Sequence, residues 1–242
     1  MKNSEDTMGE NTLGQIRSFV IRTTRMSPAQ KRGWERYGSR FIVPYRETPP
    51  VSPDELFPDR SSRPLVLDIG FGMGRELAEL AERQGDRNFI GVEVHKPGIG
   101  RLLLDLGAGD IANVKIIPHD VVEVLRDMIP PGTLDGVHLF FPDPWPKARH
   151  HKRRLVRPGF PEMVAPVLKE GGYIYMVTDW EDYAYQMVEV MTSASRYFRN
   201  EYDHFAPPQQ WRPQTAFERK GLSKGHRIYE LLFRHFSHTG SS

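Results

Sequence analysis

The 242-residue chain contains no cysteine. Disulfides and thiolate metal sites are therefore excluded, and a reducing interior is its natural setting. No run approaches the ~18 apolar residues of a membrane span. The opening residues, MKNSEDTMGENTLG, hold no apolar core of the kind found in secretory signals. A soluble, cytoplasmic protein is expected. Charge of one sign is in little excess, since 33 Lys and Arg face 31 Asp and Glu for a net of +2. With 38% hydrophobic residues, the chain can bury one substantial core, and α/β domains of this size are commonly undivided. One domain is expected over 47–236, with a basic, partly flexible arm at 1–46 and a disordered tail at 237–242.

The small net charge hides an uneven distribution. From Gln15 to Arg46 eight bases face the single acid Glu35, giving +7. From Asp143 to Arg157 six bases face Asp143, giving +5, so the rest of the chain is acidic. Positive charge gathered in two places suggests a polyanionic partner. Two solvated loops would account for it equally well.

Apolar, β-branched runs at Leu65–Ile69, Phe89–Val94, Val114–Ile117, Val137–Phe141 and Tyr173–Thr178 predict strands of the continuous kind found in a parallel sheet covered on both faces. Helical patterns lie between them. RELAELAER has its apolar residues at helical spacing, DVVEVLRDMI opens on Asp120 as a candidate N-cap, and DWEDYAYQMVEVM repeats that opening with Asp179. This alternation predicts a doubly wound α/β sheet. RYFRNEYDHF and HRIYELLFRHF predict two further, antiparallel strands.

Such sheets bind ligands beyond the carboxyl ends of their strands, where strand order reverses. In LVLDIGFGMG, a strand runs into Gly70, Gly72 and Gly74, which permit a tight turn and close approach to a ligand. The spacing is GxGxG instead of the GxGxxG of dinucleotide folds. Asp68 beside it would repel a pyrophosphate and welcome an ammonium or sulfonium, which favours S-adenosylmethionine over NAD. Glu93 ends the next strand, where an acid can accept both hydroxyls of a ribose. Asp120 follows the third, placed to meet an adenine edge, to cap the next helix, or both.

Together DIGFGMG, GVEVHKPGIG, FFPDPWPKARHHKRR, TDW and RPQTAFERKG resemble, in order and spacing, the bacterial tRNA (guanine-N7-)-methyltransferase family, over roughly Arg17 to Phe233. The resemblance implies a Rossmann-like class I fold, S-adenosylmethionine as methyl donor, and N7 of a guanine in the tRNA variable loop as acceptor. It implies that Asp68, Glu93, Asp120 and Asp143 are cofactor-side acids, with Asp143 also the catalytic residue. Lys147, Asp179 and the segment Thr215, Ala216, Phe217 and Glu218 are implied substrate contacts. Arg149, His150, His151, Lys152, Arg153 and Arg154 form the implied RNA-facing run. Many members carry Glu where Asp68 stands, so that contact is the one the resemblance carries least directly.

Guanine N7 has an in-plane lone pair and no proton, so attack on a sulfonium methyl needs no base to make the nucleophile. The product is cationic, and a nearby carboxylate stabilises the developing charge. Asp143 is therefore read as an orienting and electrostatic residue, held in a stiff turn by Pro142 and Pro144. Thr215 and Glu218 are suited to the guanine's N1–H and amino edge, although the same TxxE pattern is a capping box. Trp145 is placed either to stack on a base or to anchor the core. His150 and His151 have no spaced carboxylate partner, and no metal is expected. The basic arm would contact phosphates. A methyltransferase for an exocyclic amine is less favoured because PDPW lacks a second adjacent proline. An NAD enzyme is disfavoured by Asp68, and a non-catalytic RNA-binding protein leaves the acids at strand ends unexplained.

Overall fold

The computed structural model describes residues 25–215, 218, 219, 222, 225 and 227–236. Its strands β1 (Leu65–Ile69), β2 (Asn88–Val92), β3 (Val114–Ile117), β4 (Leu134–Phe140) and β5 (Leu168–Thr178) run parallel. β6 (Phe198–Asn200) and β7 (Tyr229–His235) complete a seven-stranded sheet of order β3-β2-β1-β4-β5-β7-β6, with β7 antiparallel to both neighbours. β1 and β3 have the bounds of their apolar runs. β4 and β5 start earlier because Leu134 pairs with Leu168 ahead of a register shift near Gly136.

Every residue of β1 and β2 is buried, as helices on both faces require. One face carries α1 (Pro28–Phe41), α3 (Arg75–Arg83) and α4 (Lys96–Ala108), packed around Leu77, Leu80, Leu102 and Leu106. The other carries α2 (Pro53–Leu56), α5 (Val121–Asp127), α6 (Phe160–Val164) and α7 (Glu181–Ser193), around Val124, Phe160, Tyr183 and Met187. Among the described residues, no helix is long and apolar enough to cross a membrane.

Residues 28–46 correct the expected arm boundary, because they belong to the packed domain. Ser27 and Gln30 form a capping box that starts α1 on Pro28. Gly33 of α1 meets α4 so closely that a Cβ there would stand 2.7 Å from the Gly100 carbonyl oxygen. Beyond α1, Ile42 bridges to Ile116, and Val43 N–H donates to the Ile116 carbonyl at 2.8 Å. Lys31, Arg32, Arg36 and Arg40 are exposed on this docked helix. Residues 1–24 of the expected arm, and the expected tail at 237–242, lie outside the described residues.

Strand order reverses between β1, which continues outward to β2 and β3, and β4, which continues to β5. Loops leaving the carboxyl ends of these two strands diverge there and leave a crevice.

Candidate active site

The turn after β1 is shaped by its backbone. Gly70 and Gly72 have φ of +70° and +58°, values that strain any residue with a Cβ. A Cβ built on either would meet nothing within 4 Å, so both border open space. Gly74 differs, since a Cβ there would lie 2.6 Å from Leu102 Cβ, so its smallness serves helix packing. Glu93 ties this turn to α4. Its Oε2 accepts from Gly72 N–H at 2.9 Å, and its Oε1 accepts from Val94 and His95 N–H at 2.7 and 2.9 Å.

The open space is a cleft of about 260 Å³ lined by residues that include Asp68, Gly70, Phe71, Gly72, Met73, Glu76, Phe140, Phe141 and Thr215. Asp68 is 3% exposed, and burial, then the charges of Glu76 and Glu93, push its carboxyl up to about 7. Beneath it, His138 Nδ1 lies 4.0 Å from Asp68 Oδ2 and has no hydrogen-bond partner among the described residues, while Nε2 is 2.9 Å from the Tyr173 hydroxyl. Burial lowers His138 to about 3, so the ring is neutral at pH 7 and the contact is not an ion pair. The imidazole is stacked between Phe140 and Trp211, at 5.1 and 5.2 Å.

The turn after β4 has a different character. Phe141 and Trp145 adopt φ of +49° and +45° on either side of Asp143. Bulky residues rarely take such values, and they persist only where surrounding contacts impose them. Phe141 N–H donates to the Val177 carbonyl at 2.7 Å. Asp143 is exposed and, like Lys147, stands outside the cleft lining. Lys147 leads into a 3₁₀ turn, Ala148–Arg153, in which Arg149, Lys152 and neighbouring side chains face outward. The half-buried Trp145 ring lies 4.9 Å from the Arg153 guanidinium carbon and 5.9 Å from the His150 ring. His150 is held below its ordinary value by partial desolvation, then by Arg149, Arg153, Lys147 and Lys152.

One expected contact needs correction, and another is already engaged within the protein. Arg154 does not share the outward face of the run: it is 1% exposed, because Asp182 and Gln186 of α7 and the Pro144 carbonyl draw its guanidinium inward. Glu218 is 5% exposed, and both carboxylate oxygens accept from Arg212, at 2.6 and 2.8 Å. The capping box is present: Glu218 N–H donates to Thr215 Oγ1 at 2.8 Å, and Thr215 N–H to Glu218 Oε2 at 3.3 Å. Thr215 does reach the cleft. Ala216 and Phe217 lie outside the described residues. Asp120 caps α5, accepting from Val122 N–H at 3.0 Å. Asp179 precedes Trp180, the actual N-cap of α7, and is half-buried at the end of β5.

The structure thus gathers Asp68, Gly70, Gly72 and Thr215 around one cleft, with Glu93 behind it, and leaves Asp120, Asp143, Lys147 and Asp179 at neighbouring strand ends. Phe71, Glu76, Phe141 and Arg212 were not singled out from the sequence. For Glu76 there was a signal, an acid in the first turn of the helix that follows the glycines. For Arg212 there was none, since its partners are set by tertiary packing.

Comparison with known proteins identifies the family and the fold. The profile of a family described as "Putative methyltransferase" matches residues 62–231. The tRNA (guanine-N(7)-)-methyltransferase of Paraburkholderia xenovorans is 49% identical over 220 residues, 91% of this chain and 83% of that protein. Its counterpart in Burkholderia mallei is 50% identical over 222 residues, 92% and 83% of the two chains. Among solved structures, the 16S rRNA methyltransferase KamB superposes with a TM-score of 0.57 at 16% identity, covering 81% of this chain and 99% of that one. A 16S rRNA (adenine(1408)-N(1))-methyltransferase from Catenulisporales acidiphilia, with its cosubstrate SAM, gives 0.56 at 15% identity, covering 80% and 96%. These two show a shared fold, that of class I methyltransferases.

Proposed function

The chain belongs to the tRNA (guanine-N(7)-)-methyltransferase family, and from that premise we propose which of its residues carry the transfer of a methyl group from S-adenosylmethionine to N7 of a guanine in tRNA. The residues present suit the cofactor. Gly70 and Gly72 border space that a Cβ would enter, and the cleft has a buried acid, Asp68, whose neighbours Glu76 and Glu93 are also acids. A carboxyl so placed is costly to ionise alone and is relieved by a cationic group. The observation that carries the reading is this acid-based cleft at the point where strand order reverses.

When bound, S-adenosylmethionine supplies an activated methyl group. On this reading Asp68 holds a cationic amino group, and Gly70 and Gly72 admit the donor to the backbone. Glu93, whose oxygens already fix the glycine turn, and Asp120, which caps α5, present their remaining acceptor capacity to ribose and adenine. Asp143 faces the guanine, orients it and stabilises the positive charge that develops on the base. Alignment of the reacting atoms supplies much of the acceleration. Thr215 contacts the base edge, with Asp179 and Lys147 beside it. Arg149, His150, His151, Lys152 and Arg153 contact the phosphate backbone, as do the exposed bases of α1. The variable loop is the proposed location of the guanine.

Incubation with labelled S-adenosylmethionine and bulk tRNA, followed by mapping of the modified nucleoside, tests the reading. The expected product is 7-methylguanosine in the variable loop. Label on an exocyclic amine, or none on RNA, would overturn it.

A further inference from the structure

Arg154 closes a basic run yet behaves unlike the rest of it. Its Nε–H donates to the Pro144 carbonyl at 2.8 Å, Nη1 to Gln186 Oε1 at 2.5 Å, and Nη2 to Asp182 Oδ2 at 2.5 Å. The guanidinium carbon sits 4.7 Å over the Tyr183 ring. The adjoining chain is strapped to the same helix: Val156 N–H donates to the Tyr183 hydroxyl at 3.0 Å, and Gln186 Nε2 donates to the Val156 carbonyl at 2.9 Å. Buried to 1% exposure, with three of its five N–H donors committed to α7 and one turn carbonyl, this arginine is not presented to a phosphate.

The Pro144 carbonyl it grips is one residue from Asp143, within a turn whose Phe141 and Trp145 both hold left-handed φ. Pro142 and Pro144 donate no N–H, so the turn cannot tie itself down through those two positions. We infer that Arg154 is a positioning residue for the reaction: it clamps the strained turn to α7 and thereby sets where the Asp143 carboxylate stands. This rests on the reading of Asp143 given above. A planar fork is needed, since three acceptors in different directions are met at fixed geometry, and lysine cannot reproduce it.

The test is a cycle of Arg154→Lys, Asp143→Asn and the double variant. Single-turnover methyl transfer is read at saturating S-adenosylmethionine and tRNA, with tRNA affinity measured across a salt series. Arg154→Lys is expected to slow transfer by on the order of 10²-fold, as a misplaced catalytic group does. Its salt slope should match the wild type, whereas Lys152→Ala should lower the slope by about 1. In the Asp143→Asn background, Arg154→Lys should cost little more, because residues acting as one unit are not additive. A normal transfer rate in Arg154→Lys, a reduced salt slope, or full additivity with Asp143→Asn overturns the inference. Normal transfer by Asp143→Asn overturns the reading of the site itself, a distinct result. If Arg154→Lys does not fold, Asp182→Asn, altered at a side chain 62% exposed, carries the same test with a smaller expected loss and the same unchanged slope.

Discussion

Between Gly70 and Gly74 the chain turns on left-handed glycines and is pinned by a carboxylate, Glu93, that receives backbone N–H groups. Between Phe141 and Trp145 it turns on bulky residues at left-handed φ and is pinned by a guanidinium that donates to a carbonyl. Both turns leave strands at the same crevice. The first is built from permissive residues and local bonds, so it forms with little strain and frames a site for one ligand. The second is held against its preferences by the Val177 carbonyl of β5 and by Arg154, itself gripped by α7, which suits a group that must stand at one place relative to a reacting atom. A third segment, with Thr215, is fixed in the second manner, by buried Arg212 between Glu218 and Glu230.

That third segment gives the largest expected effect. Arg212→Met leaves two buried carboxylates without their cation and should cost about 3–5 kcal/mol in denaturant unfolding. A loss under about 1 kcal/mol would mean that the C-terminal segment is not held by this network. The glycine turn is probed from behind by Gly98→Ala. Its Cβ would stand 1.8 Å from the Gly72 carbonyl oxygen, so the turn must shift, at about 1–3 kcal/mol of stability by overpacking. Calorimetric titration should show weaker S-adenosylmethionine binding. Unchanged affinity would separate the turn from the cofactor.

The smallest effect concerns pH. Burial and the neighbouring acids push the Asp68 carboxyl up to about 7, so its ionised fraction grows as pH rises through the neutral range. A cation is held by the ionised form, so cofactor affinity should rise as pH increases through that range. Asp68→Asn should flatten the dependence. A wild-type profile that falls with pH would remove Asp68 from the cofactor's amino group.

The difference between the two turns also explains what the sequence disclosed. DIGFGMG carries its conformation in its own residue types, and β1, α3 and the glycine turn stand where the pattern puts them. Arg154 was legible as a charge but not in its direction, because Asp182, Tyr183 and Gln186, far along the chain, turn it inward. Glu218 likewise depends on Arg212. α4 was hidden by Gly98, Gly100 and Gly107, which lower helix propensity but admit the Gly72 carbonyl, α1 and Tyr37 at close range. α1 was hidden among bases that read as an arm, though its buried Gly33, Gly38 and Phe41 face the domain.

On the proposed reading, Asp143 acts on the transfer step, in a site framed by the glycine turn. Single-turnover methyl transfer by Asp143→Asn, at saturating S-adenosylmethionine and tRNA with both affinities measured in parallel, tests it most directly. The expected rate is lower by on the order of 10²-fold, with tRNA affinity retained. Near-normal turnover with intact binding would contradict it.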